Sequence, residues 1–124
     1  TKLLLFLLLT LPLTAQVSYD RLLQAIAEKG TGNRPAAVGR ACEGTPSQIL
    51  PATWRRFSQV PMTRATPMEI HRVALAILQE IRLHLTHENA YEYALRWNAG
   101  SHAHTFGART RLYATHVSNL YAAH

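Results

Sequence analysis

The chain has one cysteine, Cys42, so no intramolecular disulfide can form. A lone thiol either packs as a small buried residue or pairs with another chain. With a single cysteine and scattered histidines, the paired ligand spacing of a zinc site is missing, and no metal or cofactor is expected. His102 and His104 stand two apart in a Gly/Ser-containing loop and make no such pair. Acid is scarce as well. Seven Asp and Glu face thirteen Lys and Arg, for a formal charge of +6. Eleven of those cations are Arg, whose planar donors suit carboxylates and phosphates. They are spread along the chain with no dense block and no basic-aromatic interleaving, which argues against a dedicated nucleic-acid groove. A diffuse cationic surface still attracts polyanions of any kind, wall polymers and anionic lipid included. Period-two alternation is nearly absent, and there are no internal repeats.

Residues 1–15 are different in kind. Lys2 is followed by an apolar leucine-rich run, Pro12, and the small-ended tripeptide Leu13-Thr14-Ala15. The run is shorter than the roughly 20 apolar residues a spanning helix needs. It has the layout of a secretory signal peptide with Gln16 as the mature N-terminus. A buried core helix or an uncleaved anchor is the other reading. An exported protein, periplasmic or extracellular, is the expectation, with membrane contact only through the leader before cleavage. Residues 16–124 then form one small domain.

Helix signals dominate this domain. Ser18 is placed as an N-cap with Asp20 in the first turn, and Tyr19, Leu22, Leu23 and Ile26 share one face until Gly30 and Gly32 end the helix. A long connection to Ser47 carries Gly32, Gly39, Gly44, Cys42 and Glu43. Connections of that length in compact domains are commonly functional or disordered. A short helix starts near Pro51 and runs through Trp54 and Phe57. Thr66-Pro67-Met68-Glu69 reads as a capping box opening the central helix, whose inward residues are Ile70, Val73, Ala74, Ile77, Leu78, Ile81 and Leu85. A fourth helix spans about Asn89 to Trp97 and stops at Asn98-Ala99-Gly100. The fifth spans about Ala108 to Ala122, with Leu112, Tyr113, Val117, Leu120 and Tyr121 inward. The expected class is all-α, a small domain of about five helices.

Three ordered segments carry a resemblance. The first runs from Leu22 through Glu28-Lys29-Gly30-Thr31-Gly32-Asn33. The second is Gly44-Thr45-Pro46-Ser47-Gln48-Ile49-Leu50-Pro51-Ala52-Thr53-Trp54. The third is Ala94-Leu95-Arg96-Trp97-Asn98-Ala99-Gly100, with Arg109-Thr110-Arg111 and Tyr113 after it. Together they resemble the motif set of soluble lytic transglycosylases and goose-type lysozymes, in the lysozyme-like superfamily: a helix ending in a catalytic glutamate before Ser/Thr-Gly, a Gly-x-x-Gln-x-x-Pro-x-Thr-Trp cleft segment, here with one residue more between Gly44 and Gln48, and Tyr-Asn-Ala-Gly with tryptophan replacing tyrosine. The resemblance implies a lysozyme-like helical fold and a peptidoglycan substrate. It also implies lytic cleavage of the MurNAc-GlcNAc bond where an acid is in place. The sequence departs from the pattern at the acid itself. Gly30 occupies the position before Thr31-Gly32, and Glu28 lies two residues earlier, about 200° away around a helix.

Glycosidic cleavage needs a carboxyl to protonate the leaving oxygen, and a two-acid hydrolase needs a second one about 5–10 Å away. Asp20, Glu69 and Glu80 stand in capping or solvated helix positions, and Glu88 and Glu92 flank the fourth helix. Glu28 and Glu43 are left as candidate acids. A single-acid transglycosylase mechanism, in which the sugar's own 6-hydroxyl takes the place of water, suits so few carboxylates, as the resemblance implies. Gln48 and Asn98 are the candidate hydrogen-bonding residues for sugar, and Trp97 the candidate stacking face, whereas Trp54 reads as core. A glycan-binding protein that has lost its acid is the alternative to an enzyme.

Overall fold

The computed structural model describes residues 16–31 and 49–124. The leader, and the connection holding Cys42, Glu43 and Gln48, lie outside the described residues. The elements are α1 (Tyr19–Thr31), α2 (Pro51–Phe57), a 3₁₀ turn (Met62–Arg64), α3 (Pro67–Arg82), α4 (Ala90–Ala99) and α5 (Ala108–Ala123). Among the described residues there is no strand, and the domain is all-α with five helices. None of these helices is long and apolar enough to cross a membrane.

Local chemistry accounts for most boundaries. The Ser18 hydroxyl accepts from the Arg21 backbone N–H at 3.3 Å, capping α1. Asp20 in its first turn and Lys29 in its last both match the helix dipole. The helix continues one residue past Gly30, so glycine alone does not end it. Pro51 opens α2 at a position where a missing N–H costs nothing. The Thr66 hydroxyl accepts from Glu69 N–H at 3.2 Å, as a capping box requires. The Glu69 carboxylate reaches outward instead, accepting from the Ser58 hydroxyl at 2.9 Å and pairing with Arg72. It thereby ties the α2–α3 link to α3. Arg72 holds the Glu69 carboxyl below the usual carboxylate range, with Ser58 adding to the effect. The Asn89 side chain caps α4 by accepting from Glu92 N–H at 2.9 Å. That helix stops at Gly100, whose φ of 120° is closed to ordinary L side chains.

Helix α5 lies chiefly against α4 and α1, and α3 joins α4, α2 and α1. The core between them contains Leu22 and Ile26 of α1, Trp54 of α2, Val73, Leu78 and Ile81 of α3, Tyr93 of α4 and Val117 of α5. Ile70 and Leu85 pack at its edge, half-buried. Two polar groups inside are satisfied locally. Trp54 Nε1 donates to the Val60 carbonyl at 2.6 Å. The Tyr93 hydroxyl donates to Glu88 at 2.9 Å and lies 2.9 Å from the Tyr19 hydroxyl. One inward assignment is corrected: Leu112 is 57% exposed. It sits five residues before buried Val117, which at 100° per residue turns it about 140° away. Tyr113, Leu120 and Tyr121 fall within about 60° of Val117 and do face the core.

Because Thr66 and Asn89 each satisfy one orphan helix donor, Thr66→Ala and Asn89→Ala should each lower stability by about 1 kcal/mol. Urea unfolding checks this, and a loss near zero in both would mean water replaces the caps without penalty.

Candidate functional site

The candidate site is assembled from the last turn of α4 and the entry to α2. Asn89 caps α4 and Gly100 ends it, so Trp97 and Asn98 are delivered on its final turn. Gly100 N–H donates to the Arg96 carbonyl at 2.8 Å, closing that turn. Trp97 is half-buried and Asn98 exposed. Across from Trp97 stands the chain entering α2. Ile49 is buried, Leu50 is the N-cap residue, and Thr53 follows one turn on. Ile49, Leu50, Thr53, Ile77 and Trp97 enclose a notch of about 40 Å³. That space admits a water-sized group, so a sugar ring would lie over the notch rather than in it. Trp54 of the same segment is 2% exposed and belongs to the core, as its position implied.

Asn98 is oriented by α5. Its Oδ1 accepts from the Thr110 hydroxyl at 2.8 Å, and its amide nitrogen remains the donor end. The second and third resembling segments therefore meet, through Trp97 and Ile49–Thr53, and the tail segment supports them through Thr110. Gln48 directly precedes this entry but lies outside the described residues, as does Glu43.

Glu28 is placed elsewhere. Its carboxylate lies 3.0 Å from His124 Nε2, with about three-quarters of each side chain buried. His124 follows the last turn of α5, whereas Thr110, which holds Asn98, is in its first turn. Fourteen residues at about 1.5 Å each put these anchors about 21 Å apart along α5. Glu28 and Asn98 are thus tied to opposite ends of one helix. Gly30, the position where the resemblance implies an acid, lies in the last turn of α1, half-buried.

Arg56 and Glu80 form an ion pair that joins α2 to α3. Arg56 bonds Glu80 at 2.6 Å and holds its carboxyl below the usual range. Glu80 Oε1 is buried with no hydrogen-bond partner, and His102 Nε2 approaches it only to 3.9 Å. Among the described residues no three His, Cys, Asp or Glu side chains converge closely enough to hold a metal ion. Larger hollows lie elsewhere among the described residues. One, of about 310 Å³, is bounded by Trp54, Val60, Pro61 and Met62. Another, of about 510 Å³, lies between α4 and α5, with Arg96 and Arg111 on its walls. Sequence reasoning missed the second. Its visible signal was the pair of cations Arg109 and Arg111 in a helix first turn, where a cation opposes the dipole.

Comparison of the chain with known families, curated proteins and solved structures found no match.

Proposed function

We propose that this chain is an exported, lysozyme-like domain directed at peptidoglycan, and that it holds glycan strands rather than cutting them. The reading rests on the meeting of Trp97 with Ile49 and Thr53 beside the exposed Asn98. In it, the Trp97 ring supplies a flat face for a sugar and the Asn98 amide donates to a hydroxyl or acetamido oxygen. Gln48, next to Ile49, adds a second amide. The formal charge of +6 favours the anionic wall polymer without choosing among polyanions. Binding is favoured over cleavage because Gly30 stands where the resemblance implies the acid, and Glu28 is engaged by His124 at the far end of α5 from Thr110.

Purified sacculi provide the test, with bound protein measured at 0.3 M salt, where charge interactions between exposed groups are shortened below about 8 Å. Wild type should sediment with the wall and release no soluble glycan fragments. Trp97→Ala combined with Asn98→Ala should weaken binding about tenfold, roughly 1.4 kcal/mol. Release of anhydro-sugar fragments by wild type, abolished in Glu28→Gln or Glu43→Gln, would establish the cleaving enzyme instead. Absence of wall binding at this salt would remove the peptidoglycan assignment.

A further inference from the structure

The hollow between α4 and α5 shares no residue with the Trp97 notch, and its chemistry is different. Tyr91 and Leu95 of α4 and Phe106, ahead of α5, give it apolar and aromatic walls. Glu92 and Arg96 lie on the α4 side, and Arg111 lies on α5. At about 510 Å³ it is within the range of small-molecule sites.

The charges in it do not cancel. Arg96 Nη1 bonds the Glu92 carboxylate at 2.7 Å and its carbonyl at 3.2 Å, so that acid is already taken. Arg96 Nε is buried without a hydrogen-bond partner, leaving one donor of this guanidinium uncompensated behind the wall. The Arg96 guanidinium also lies 5.2 Å from the Phe106 ring centre. Arg111 has no carboxylate partner among the described residues. Its Nη1 donates to the Phe106 carbonyl at 2.7 Å, which holds the fork at the aromatic wall. Helix stability does not explain a cation at this place. Arg109 and Arg111 both stand near the start of α5, no acid is in its first turn, and Gly107 offers no capping side chain. Cations there oppose the dipole. Apart from the Arg111 bond to the Phe106 carbonyl, the local rule is broken with no return from the helix itself, as is characteristic of a functional position.

We propose that this hollow binds a small carboxylate carrying an aromatic or branched apolar body. The carboxylate lies against the Arg111 fork, in the geometry that suits paired N–H donors. The body lies against Phe106, Tyr91 and Leu95. Because Glu92 is neutralised by Arg96, no free acid in the pair repels the ligand. The site is independent of the wall-binding reading, since neither Trp97 nor Asn98 lines it.

Benzoate, neutral benzamide and inorganic phosphate are suitable probes, titrated into the full chain and followed by amide NMR shifts. Benzoate should bind saturably, with shifts concentrated at residues 91–96 and 106–111, and at least tenfold more tightly than benzamide or phosphate. Arg111→Gln should weaken benzoate at least tenfold, whereas Arg109→Gln, exposed on the same helix turn, should leave it unchanged. Benzamide binding as tightly as benzoate would overturn the carboxylate assignment. Phosphate binding as tightly would overturn the role of the aromatic wall. Equal loss in the Arg109 and Arg111 variants would reduce the effect to general positive charge and overturn the site.

Discussion

Trp54→Ala is expected to destabilise the domain by about 3–5 kcal/mol, the usual penalty for emptying a large aromatic site in a core. Trp54 is 2% exposed and is among the largest fully buried side chains of the described core. Its helix is short, seven residues with no side-chain cap, and helices of that length have no stability of their own in water. Burial of Trp54 against the rest of the core is therefore what holds α2 in place. The indole N–H also fastens the following turn through the Val60 carbonyl. A domain of this size has about 5–15 kcal/mol in total, so much of the margin would go. Trp54→Phe should recover most of the loss, because it restores ring volume, and the exposed Val60 can hydrogen-bond water instead. Denaturant unfolding of both variants checks this. A loss below about 1 kcal/mol for Trp54→Ala would mean that α2 is not integral to the core. Since the Ile49–Thr53 side of the Trp97 notch enters the same helix, the alanine variant should also lose the glycan binding proposed for that notch, for a structural reason.

The fold was largely legible in the sequence because its boundaries are set by short-range chemistry. Thr66, Asn89 and Ser18 each cap the helix they precede, Pro51 marks an entry that suits proline, and Gly100 marks an exit whose φ favours glycine. The inward face of α3 is equally plain: its three- and four-residue spacing has Val73, Ala74, Ile77, Leu78 and Ile81 buried. Helix α5 was harder to read. Val117 reads as inward and is buried, but buried Ala114 is too small to stand out beside the larger and more hydrophobic Leu112, which faces water. Helix α5 packs against both α4 and α1, a tertiary fact with no local mark.

The candidate site was legible in part for the same reason. Trp97 and Asn98 were found through a helix-ending motif, and local geometry does place them together on one turn. The pairing of Glu28 with His124 was not foreseeable, because the two lie 96 positions apart and nothing near either residue announces it. The α4–α5 hollow likewise joins Arg96 to Phe106 and Arg111 across the turn at Gly100. Only the misplaced cations Arg109 and Arg111 at the start of α5 hinted at it. Local signals specify elements, whereas sites drawn from two elements depend on how those elements pack.

Alkaline pH should unfold this domain in a way that two tyrosines account for. Burial is the leading cause that raises the Tyr93 phenol well above its ordinary value, and the adjoining Tyr19 hydroxyl and Glu88 carboxylate push it the same way. Deprotonation would leave a phenolate against the Glu88 carboxylate, inside a core where Tyr93 has no exposed surface. Burial raises Tyr113 too. An unfolded tyrosine titrates near 10. Below that pH both states keep the proton and stability does not depend on it. Above it the unfolded chain releases the proton and the folded one does not, so stability is lost as pH rises. Each group contributes a slope of up to about 1.4 kcal/mol per pH unit, which for two tyrosines approaches roughly 4 kcal/mol by pH 11.5. Urea midpoints measured from pH 8 to 11.5 should be level at first and then fall steeply. Tyr113→Phe should remove one share of the slope at little cost at pH 8. Tyr93→Phe should remove the other, but at pH 8 it should also lose about 1–3 kcal/mol, because Glu88 and Tyr19 then lack their shared partner. A slope unchanged in both variants would place the alkaline transition in other groups and deny Tyr93 its role as the buried hub joining α1 to α4.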